Sequence, residues 1–274
     1  MILLDGAKLS LKRAEQLKEK IEDLDKKLVL AIIQIGNDEA SNIYIDRKVS
    51  FAEEIGATAN IINFEEDIST EKVVEEILNL NDDESVNGII VQLPIPKDLD
   101  KEKILNTINP KKDVDGLTAR NMWKLMDGDK SGMIPATARA IQILLDEYDI
   151  DIKGKHAVIV GDSILVGKST MLYFLEKGAT VTVCNEHTVD LPRFTRETDI
   201  LVTAVGKKDL IGIEHVTNKQ VVIDVGIVRV GEKIHGDVDF ENVKDHVAMI
   251  TPVPGGVGPM TVLSLFENLV DTFK

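Results

Sequence analysis

Apolar positions in the N-terminal third of the chain come in short blocks whose period alternates between that of a strand and that of a helix. Leu28–Ile35 is an apolar run closed by Gly36 and predicts a buried strand. Ser41–Ile55 follows at helical spacing and stops at Gly56. Thr58–Phe64 reads as a strand and Thr70–Leu80 as an amphipathic helix. Gly88–Leu93 is apolar apart from Gln92 and runs into Pro94 and Pro96, which predicts a second buried strand. A further series begins near Lys155, with strands at Ala157–Val160, Thr180–Val183, Ile200–Val205 and Val221–Val225 and a helix at Lys168–Lys177. Between the two series, Met122–Met126 predicts a connecting helix and Asp127-Gly128-Asp129 a turn, which places the join within Thr118–Ser131. Val262–Phe273 closes the chain as an apolar helix with Thr261 as its N-cap.

Strands alternating with helices predict an α/β fold with parallel sheets, whose ligands gather at the carboxyl ends of the strands. Two such series in 274 residues predict two domains. Composition mostly excludes. With 43% hydrophobic and 29% charged residues the chain is an ordinary globular one. It holds no apolar run of about 18 residues, so no membrane span is expected. Asp5 falls too early for a secretory signal. Cys184 is the single cysteine, which forbids an intrachain disulfide and suits a reducing cytoplasm. A formal charge of −15 and few aromatic residues argue against a nucleic-acid partner.

Candidate chemistry lies in four places. Thr251–Thr261 packs three glycines and three prolines into one loop, rigid at some positions and bare backbone at others, just before the last helix. His156–Val160 runs straight into Gly161-Asp162-Ser163 and then Gly167-Lys168-Ser169. That is a strand–turn–helix in which Gly161 allows the tight turn, Gly167 allows close helix packing, and the helix start can hold a pyrophosphate. Ser163 stands where G-x-G-x-x-G has its middle glycine, so an ordinary strand–helix turn fits as well. The spacing is one residue too long for a P-loop. Gly206 and Gly226-Ile227 end the next two strands, where a nicotinamide ring can lie against backbone. In the first series Ser41, Tyr44 and Lys48 share one helix face, and a partly desolvated lysine can pass protons near neutrality. Gln92 is either a structural pin or a ligand contact. Asp113 and Asp115 put two carboxylates in one turn, and Asp115 beside Gly116 can read a heterocycle rich in N–H groups. No histidine or further acid stands at ligand spacing nearby, so no metal is expected.

In this order and spacing, Ser41…Tyr44…Lys48, Gly88–Pro96, Lys112–Gly116 and Pro252–Thr261 resemble the bifunctional methylenetetrahydrofolate dehydrogenase/methenyltetrahydrofolate cyclohydrolase family along nearly the whole chain. The resemblance implies a folate-binding catalytic α/β domain over 1–120 and 255–274 and a Rossmann-type NAD(P)-binding domain over 121–254. The C-terminal helix returns to the first domain. It implies oxidation of methylenetetrahydrofolate with NADP and hydrolysis of the methenyl product to formyltetrahydrofolate. The setting is the one-carbon metabolism that serves purine biosynthesis, in a cytoplasmic homodimer joined through the cofactor domains. Lys48 becomes the catalytic lysine, ordered by Tyr44. Gln92 helps set its protonation and Asp115 grips the pterin. Ser41, Pro254, Gly255 and Gly256 complete the substrate set. Gly161, Asp162, Ser163, Glu186, Gly206, Ile227 and Thr137 form the cofactor set.

The chain departs from the family pattern at Pro135-Ala136-Thr137-Ala138, usually Pro-Cys-Thr-Pro. It departs again at Asp162 and Ser169, usually Arg and Pro, and at Cys184-Asn185-Glu186, often Cys-His-Ser. Asp162 and Glu186 repel a 2′-phosphate and suit a ribose 2′-hydroxyl, so NAD stands as the alternative to NADP. Lys168, His187 and Arg193 are the nearby sources of positive charge. Two rival readings share the architecture: a shikimate- or amino-acid-type dehydrogenase, and a non-catalytic dinucleotide-sensing module. Neither calls for Lys48 and Asp115 together with the Pro-Gly-Gly loop.

Overall fold

The structure, a computed structural model, describes residues 1–24, 26–231 and 233–273, with backbone alone at Glu39 and Ala40. In chain order the first elements are β1 (Ile2–Leu3), α1 (Gly6–Glu22), β2 (Val29–Ile35), α2 (Glu39–Glu54), β3 (Thr58–Phe64), α3 (Thr70–Asp82) and β4 (Gly88–Val91). Then come α4 (Lys101–Thr107), α5 (Ala119–Asp127), α6 (Ala136–Glu147), β5 (His156–Val160), α7 (Ser169–Glu176), β6 (Thr180–Cys184), α8 (Leu191–Thr195) and β7 (Ile200–Thr203). The last are β8 (Val221–Asp224), β9 (Val228–Val230), β10 (Lys233–His235), α9 (Phe240–Val243), β11 (Met249–Ile250) and α10 (Val257–Asp271). Two compact units result. One joins Met1–Leu11 to Thr137–Thr261, and the other joins Lys12–Ala136 to the chain from Val262 onward. The sequence reading grouped residues 1–11 with the first domain. Instead β1 adds to the sheet of the second series.

The unit that contains Lys12–Ala136 carries a parallel sheet in the order β3-β2-β4, with Ile32 opposite Ile61 and Ile90. The burial of each strand follows its pattern. The apolar runs of β2 and β4 occupy the centre and one side, while β3, whose polar and apolar residues are mixed, is the half-exposed edge. Val73, Ile77 and Leu80 recur along α3 and bury against Ala31, Ile33, Ile35, Ile89 and Val91, joined by Ile104 and Leu105 of α4. Each of the Val, Ile and Leu side chains among them is worth about 1.5–3 kcal/mol of burial. Phe51 of α2 meets Phe266 of α10 with ring centroids 5.5 Å apart.

The unit that contains Thr137–Thr261 carries six parallel strands in the order β1-β11-β8-β7-β5-β6, beside an antiparallel hairpin of β9 and β10. The order reverses at β5, which has β6 on one side and β7 on the other, so the crevice beyond its carboxyl end is where this topology takes a ligand. Among the described residues no helix is long and apolar enough to cross a membrane. Nor does any cluster of three or more His, Cys, Asp or Glu suit a metal.

Two local expectations are corrected. The last helix starts at Val257, so Thr261 lies inside it and is no cap; its hydroxyl donates to the Val257 carbonyl at 3.2 Å. Gly258 and Pro259 read as loop, yet Pro259 sits in the first turn, where its missing N–H has no helical partner to lose. The helix expected over Lys168–Lys177 is preceded by a π-helical turn, Ile164–Lys168, capped by Ser163, whose hydroxyl accepts from Val166 N at 3.3 Å.

Candidate functional site

In the unit of the three-stranded sheet α2 begins where Asp38 caps it, accepting the Ser41 amide and the Ser41 hydroxyl, each at 2.8 Å. Ser41 is therefore buried and held by its own helix start. One and two turns on, Tyr44 and Lys48 are half-buried on the same helix. The Arg47 guanidinium lies 5.8 Å from the Tyr44 ring centre. Burial pushes the Tyr44 hydroxyl up, and Arg47 opposes it. Lys48 Nζ donates to Gln92 Oε1 at 2.8 Å. Gln92 stands one residue past β4, and its Nε2 donates to the Leu93 carbonyl at 2.9 Å. That second bond fixes which end of the amide faces the lysine. Gln92 is thus both structural pin and lysine partner.

Asp115 completes the group. Burial holds the Lys48 ammonium below its usual range, with the Asp115 charge opposing. Burial raises the Asp115 carboxyl, with Lys48 opposing and Asp113 adding to the rise. The two carboxylates of this turn have different work. Asp113 is almost fully buried and accepts from Leu117 N at 3.2 Å, Thr118 N at 2.8 Å and Asn121 Nδ2 at 2.9 Å. Asp115 keeps solvent access, and among the described residues no donor bonds its carboxylate. It is available to a ligand. The sequence reading missed the buried amides that hold this turn. Asn268 of α10 donates to the carbonyls of Val114 and Ile134, both at 2.8 Å, and Asn121 accepts from Met133 N at 3.2 Å. An amide inside the otherwise apolar run of α10 was the available signal, since a buried amide must find partners.

In the unit of the six-stranded sheet Gly161 follows β5 with φ 112°, and a Cβ there would stand 2.5 Å from the Ala204 carbonyl oxygen. A Cβ on Gly167 would meet the Gly161 carbonyl oxygen at 2.0 Å, so the helix packs on the turn as the spacing predicted. Asp162 and Ser163 are exposed, and Asp162 accepts from Asn185 Nδ2 at 3.3 Å, which brings the loops after β5 and β6 together. Glu186 is exposed beside His187, 3.8 Å away. Gly206 and Ile227 also come together: a Cβ on Gly206 would lie 3.9 Å from the Ile227 carbonyl. Val205 and Ile227 leave apolar side chains exposed at this end of the sheet. Ser169 turns its hydroxyl onto the Leu165 and Val166 carbonyls, both at 3.0 Å, and is unavailable to a ligand. Tight glycine turns, exposed first-turn residues and an apolar lip at the strand ends fit a dinucleotide. Thr137 is buried at the start of α6, with no hydrogen bond to these loops among the described residues. Gly255 has φ 107°, its carbonyl accepts from Ala7 N at 2.8 Å, and Gly256 approaches Gly6 too closely for a Cβ on the latter.

Two family models match. The catalytic domain of tetrahydrofolate dehydrogenase/cyclohydrolase spans residues 4–115, and the NAD(P)-binding domain spans 135–274. The chain is 45% identical over 277 residues to the bifunctional protein FolD of Aquifex aeolicus, covering 100% of this chain and 95% of that one. The Campylobacter jejuni FolD structure superposes with a TM-score of 0.96 at 42% identity, covering 99% and 98% of the two chains. The Trypanosoma brucei enzyme, solved with NADP cofactor and an inhibitor, gives a TM-score of 0.96 at 30% identity over 100% of this chain and 97% of that one.

Proposed function

The chain belongs to the tetrahydrofolate dehydrogenase/cyclohydrolase family, and from that premise we propose how its own residues share the two reactions. It is a bifunctional enzyme of one-carbon metabolism, a methylenetetrahydrofolate dehydrogenase and methenyltetrahydrofolate cyclohydrolase. The observation that carries the division of roles is the Lys48–Gln92 hydrogen bond of 2.8 Å within electrostatic reach of Asp115. The lysine is brought toward neutrality by burial, so its amine can take the proton of the water that adds to the methenyl carbon. The carbon–oxygen bond forms, and the ammonium then returns that proton to the ring nitrogen as the carbon–nitrogen bond breaks, while the adduct's hydroxyl proton leaves to solvent as the formyl C=O forms. Gln92 keeps the lysine in place with an oxygen that can only accept. Asp115, with no hydrogen-bond donor among the described residues, holds the pterin N–H groups. Tyr44 packs against the folate, and Ser41, Pro254, Gly255 and Gly256 are assigned to the same substrate by the family pattern.

A nicotinamide dinucleotide, when bound, supplies the hydride acceptor. Gly161, Asp162, Ser163, Glu186, Gly206 and Ile227 are assigned to it, with Thr137. The folate nitrogens stabilise the cation left by hydride loss, so alignment is the main demand on the protein. We assign NADP, which the Trypanosoma brucei relative carries in its structure. NAD is the second reading, favoured by the exposed carboxylates of Asp162 and Glu186. A cytoplasmic homodimer joined through the cofactor domains and a role in purine biosynthesis complete the proposal. Purified protein is given methylenetetrahydrofolate with NADP or with NAD while reduced nicotinamide, methenyl and formyl products are followed. Sequential appearance of all three is expected. No nicotinamide reduction with either cofactor overturns the dehydrogenase assignment.

A further inference from the structure

The loops after β7 and β8 are moulded on two buried carboxyl groups that the reactions above leave unused. Asp237 is fully buried. It accepts from Thr203 Oγ1 at 2.9 Å, Val205 N at 2.7 Å, Gly206 N at 2.9 Å and Lys207 N at 2.7 Å. Three consecutive amides converging on one anion form the concave nest that elsewhere binds a phosphate; here a side chain of the protein fills it. Asp224, 3% exposed, accepts from Gly226 N and Asp237 N at 3.0 Å and from Val238 N at 2.9 Å. Its own amide donates to Thr251 Oγ1 at 2.8 Å. Among the described residues neither carboxyl forms an ion pair. Two glycines are explained by the pair. A Cβ on Gly226 would fall 2.1 Å from the Asp237 carboxyl carbon, and one on Gly236 would fall 1.9 Å from an Asp224 oxygen.

We propose that Asp237 is a positioning residue for the dehydrogenase reaction, holding the Thr203–Lys207 backbone in the shape that receives the dinucleotide, with Asp224 fixing Asp237 in turn. The inference rests on the assignment of the dinucleotide to Gly206 and Ile227. Asp237 bonds the ligand loop rather than the strand ladder, and a side chain buried without a cation is retained where its acceptors have a specific load. Asparagine has the same shape but turns an NH₂ toward amides that also donate, so it cannot serve all four.

The test uses the intact enzyme and its two activities, because the cyclohydrolase step consumes no dinucleotide. Asp237→Asn should raise the KM for dinucleotide by at least about tenfold and leave the KM for folate and the cyclohydrolase rate within about twofold. An unchanged dinucleotide KM overturns the proposal, and so does a parallel fall of both activities, which marks a general structural role. Ile227→Glu is run beside it. If that variant raises the dinucleotide KM and Asp237→Asn does not, the positioning role alone fails. If Ile227→Glu has no effect, the dinucleotide assignment fails. Should Asp237→Asn not fold, amide hydrogen exchange on the native enzyme decides: Val205, Gly206 and Lys207 should exchange slowly without dinucleotide, and fast exchange there overturns the proposal.

Discussion

Gln92 and Lys48 show how a neutral side chain can orient a charged one. The amide spends its N–H on Leu93 and presents its oxygen to the ammonium, so the lysine is oriented with no counter-ion in contact among the described residues. Lys48→Met keeps the apolar stem and removes the proton carrier. Cyclohydrolase turnover should fall by on the order of 10²–10⁴ with folding intact and some dehydrogenase activity remaining. Normal hydrolysis of methenyltetrahydrofolate by that variant would sink the role. Asp224 gives a second residue-level expectation. Burial lifts its carboxyl from 3.8 to about 7, against the three backbone bonds that lower it. Between those values the native state holds a proton that the unfolded chain has released. Its stabilising contribution is therefore full below about pH 4 and is lost as pH rises through about 7. Native enzyme should lose about 1–3 kcal/mol of stability between pH 5 and pH 8 relative to Asp224→Asn, read from urea midpoints. The variant should be less stable throughout, since an amide there meets backbone donors. A difference that does not change with pH would contradict the raised value.

At the scale of elements, the turn after β5 and the segment after β6 act together, because Asn185 bridges to Asp162. If both face the adenosine ribose, Asp162 and Glu186 place negative charge near its 2′ position. Replacing Asp162 with Arg and Glu186 with Ser should raise NADP affinity several-fold, about 1 kcal/mol, and do little for NAD. The gain should shrink as salt rises, since both side chains are exposed. Dissociation constants for both cofactors at two salt concentrations check it, and equal NADP affinities before and after would place the phosphate elsewhere. How far such elements were legible depended on what ends them. Regular stops such as Gly36, Gly56 and Gly128 mark their boundaries in the chain itself. The start of α10 was not legible, because Gly258 and Pro259 signal a loop in sequence and are tolerated in a first helical turn only in the folded setting. The two-residue strands β1 and β11 were equally silent, since strands that short have no period to read.

For the whole molecule, the chain passes between the two units three times, and α1 and α10 each run across one of those joins. Helices that span a join couple the folding of the units on either side. Trp123, the only tryptophan, lies in the unit of the three-stranded sheet and the assigned dinucleotide loops lie in that of the six-stranded sheet. Dinucleotide at a hundredfold excess over its dissociation constant should stabilise the native state by about 2.7 kcal/mol. The Trp123 fluorescence transition should move up in temperature with it. A Trp123 midpoint indifferent to dinucleotide would mean that the units unfold independently.

The chain by itself determined the α/β class, the two series of strands and helices and the glycine turn after β5, and it offered Ser41, Tyr44, Lys48, Gln92 and Asp115 as candidates. These follow from local causes: side-chain period, the backbone freedom of glycine, and residue types that chemistry demands at short spacings. Tertiary structure alone decided that β1 joins the six-stranded sheet, that Asp113 is spent on two backbone amides and the Asn121 side chain while Asp115 has no hydrogen-bond donor among the described residues, and that Asn268 pins the Asp115 turn. It also decided that Asp224 and Asp237 shape the loops after β7 and β8. Each of these depends on partners far apart in the chain, and a carboxylate reads the same in sequence whether its neighbours in space are donors, charges or solvent.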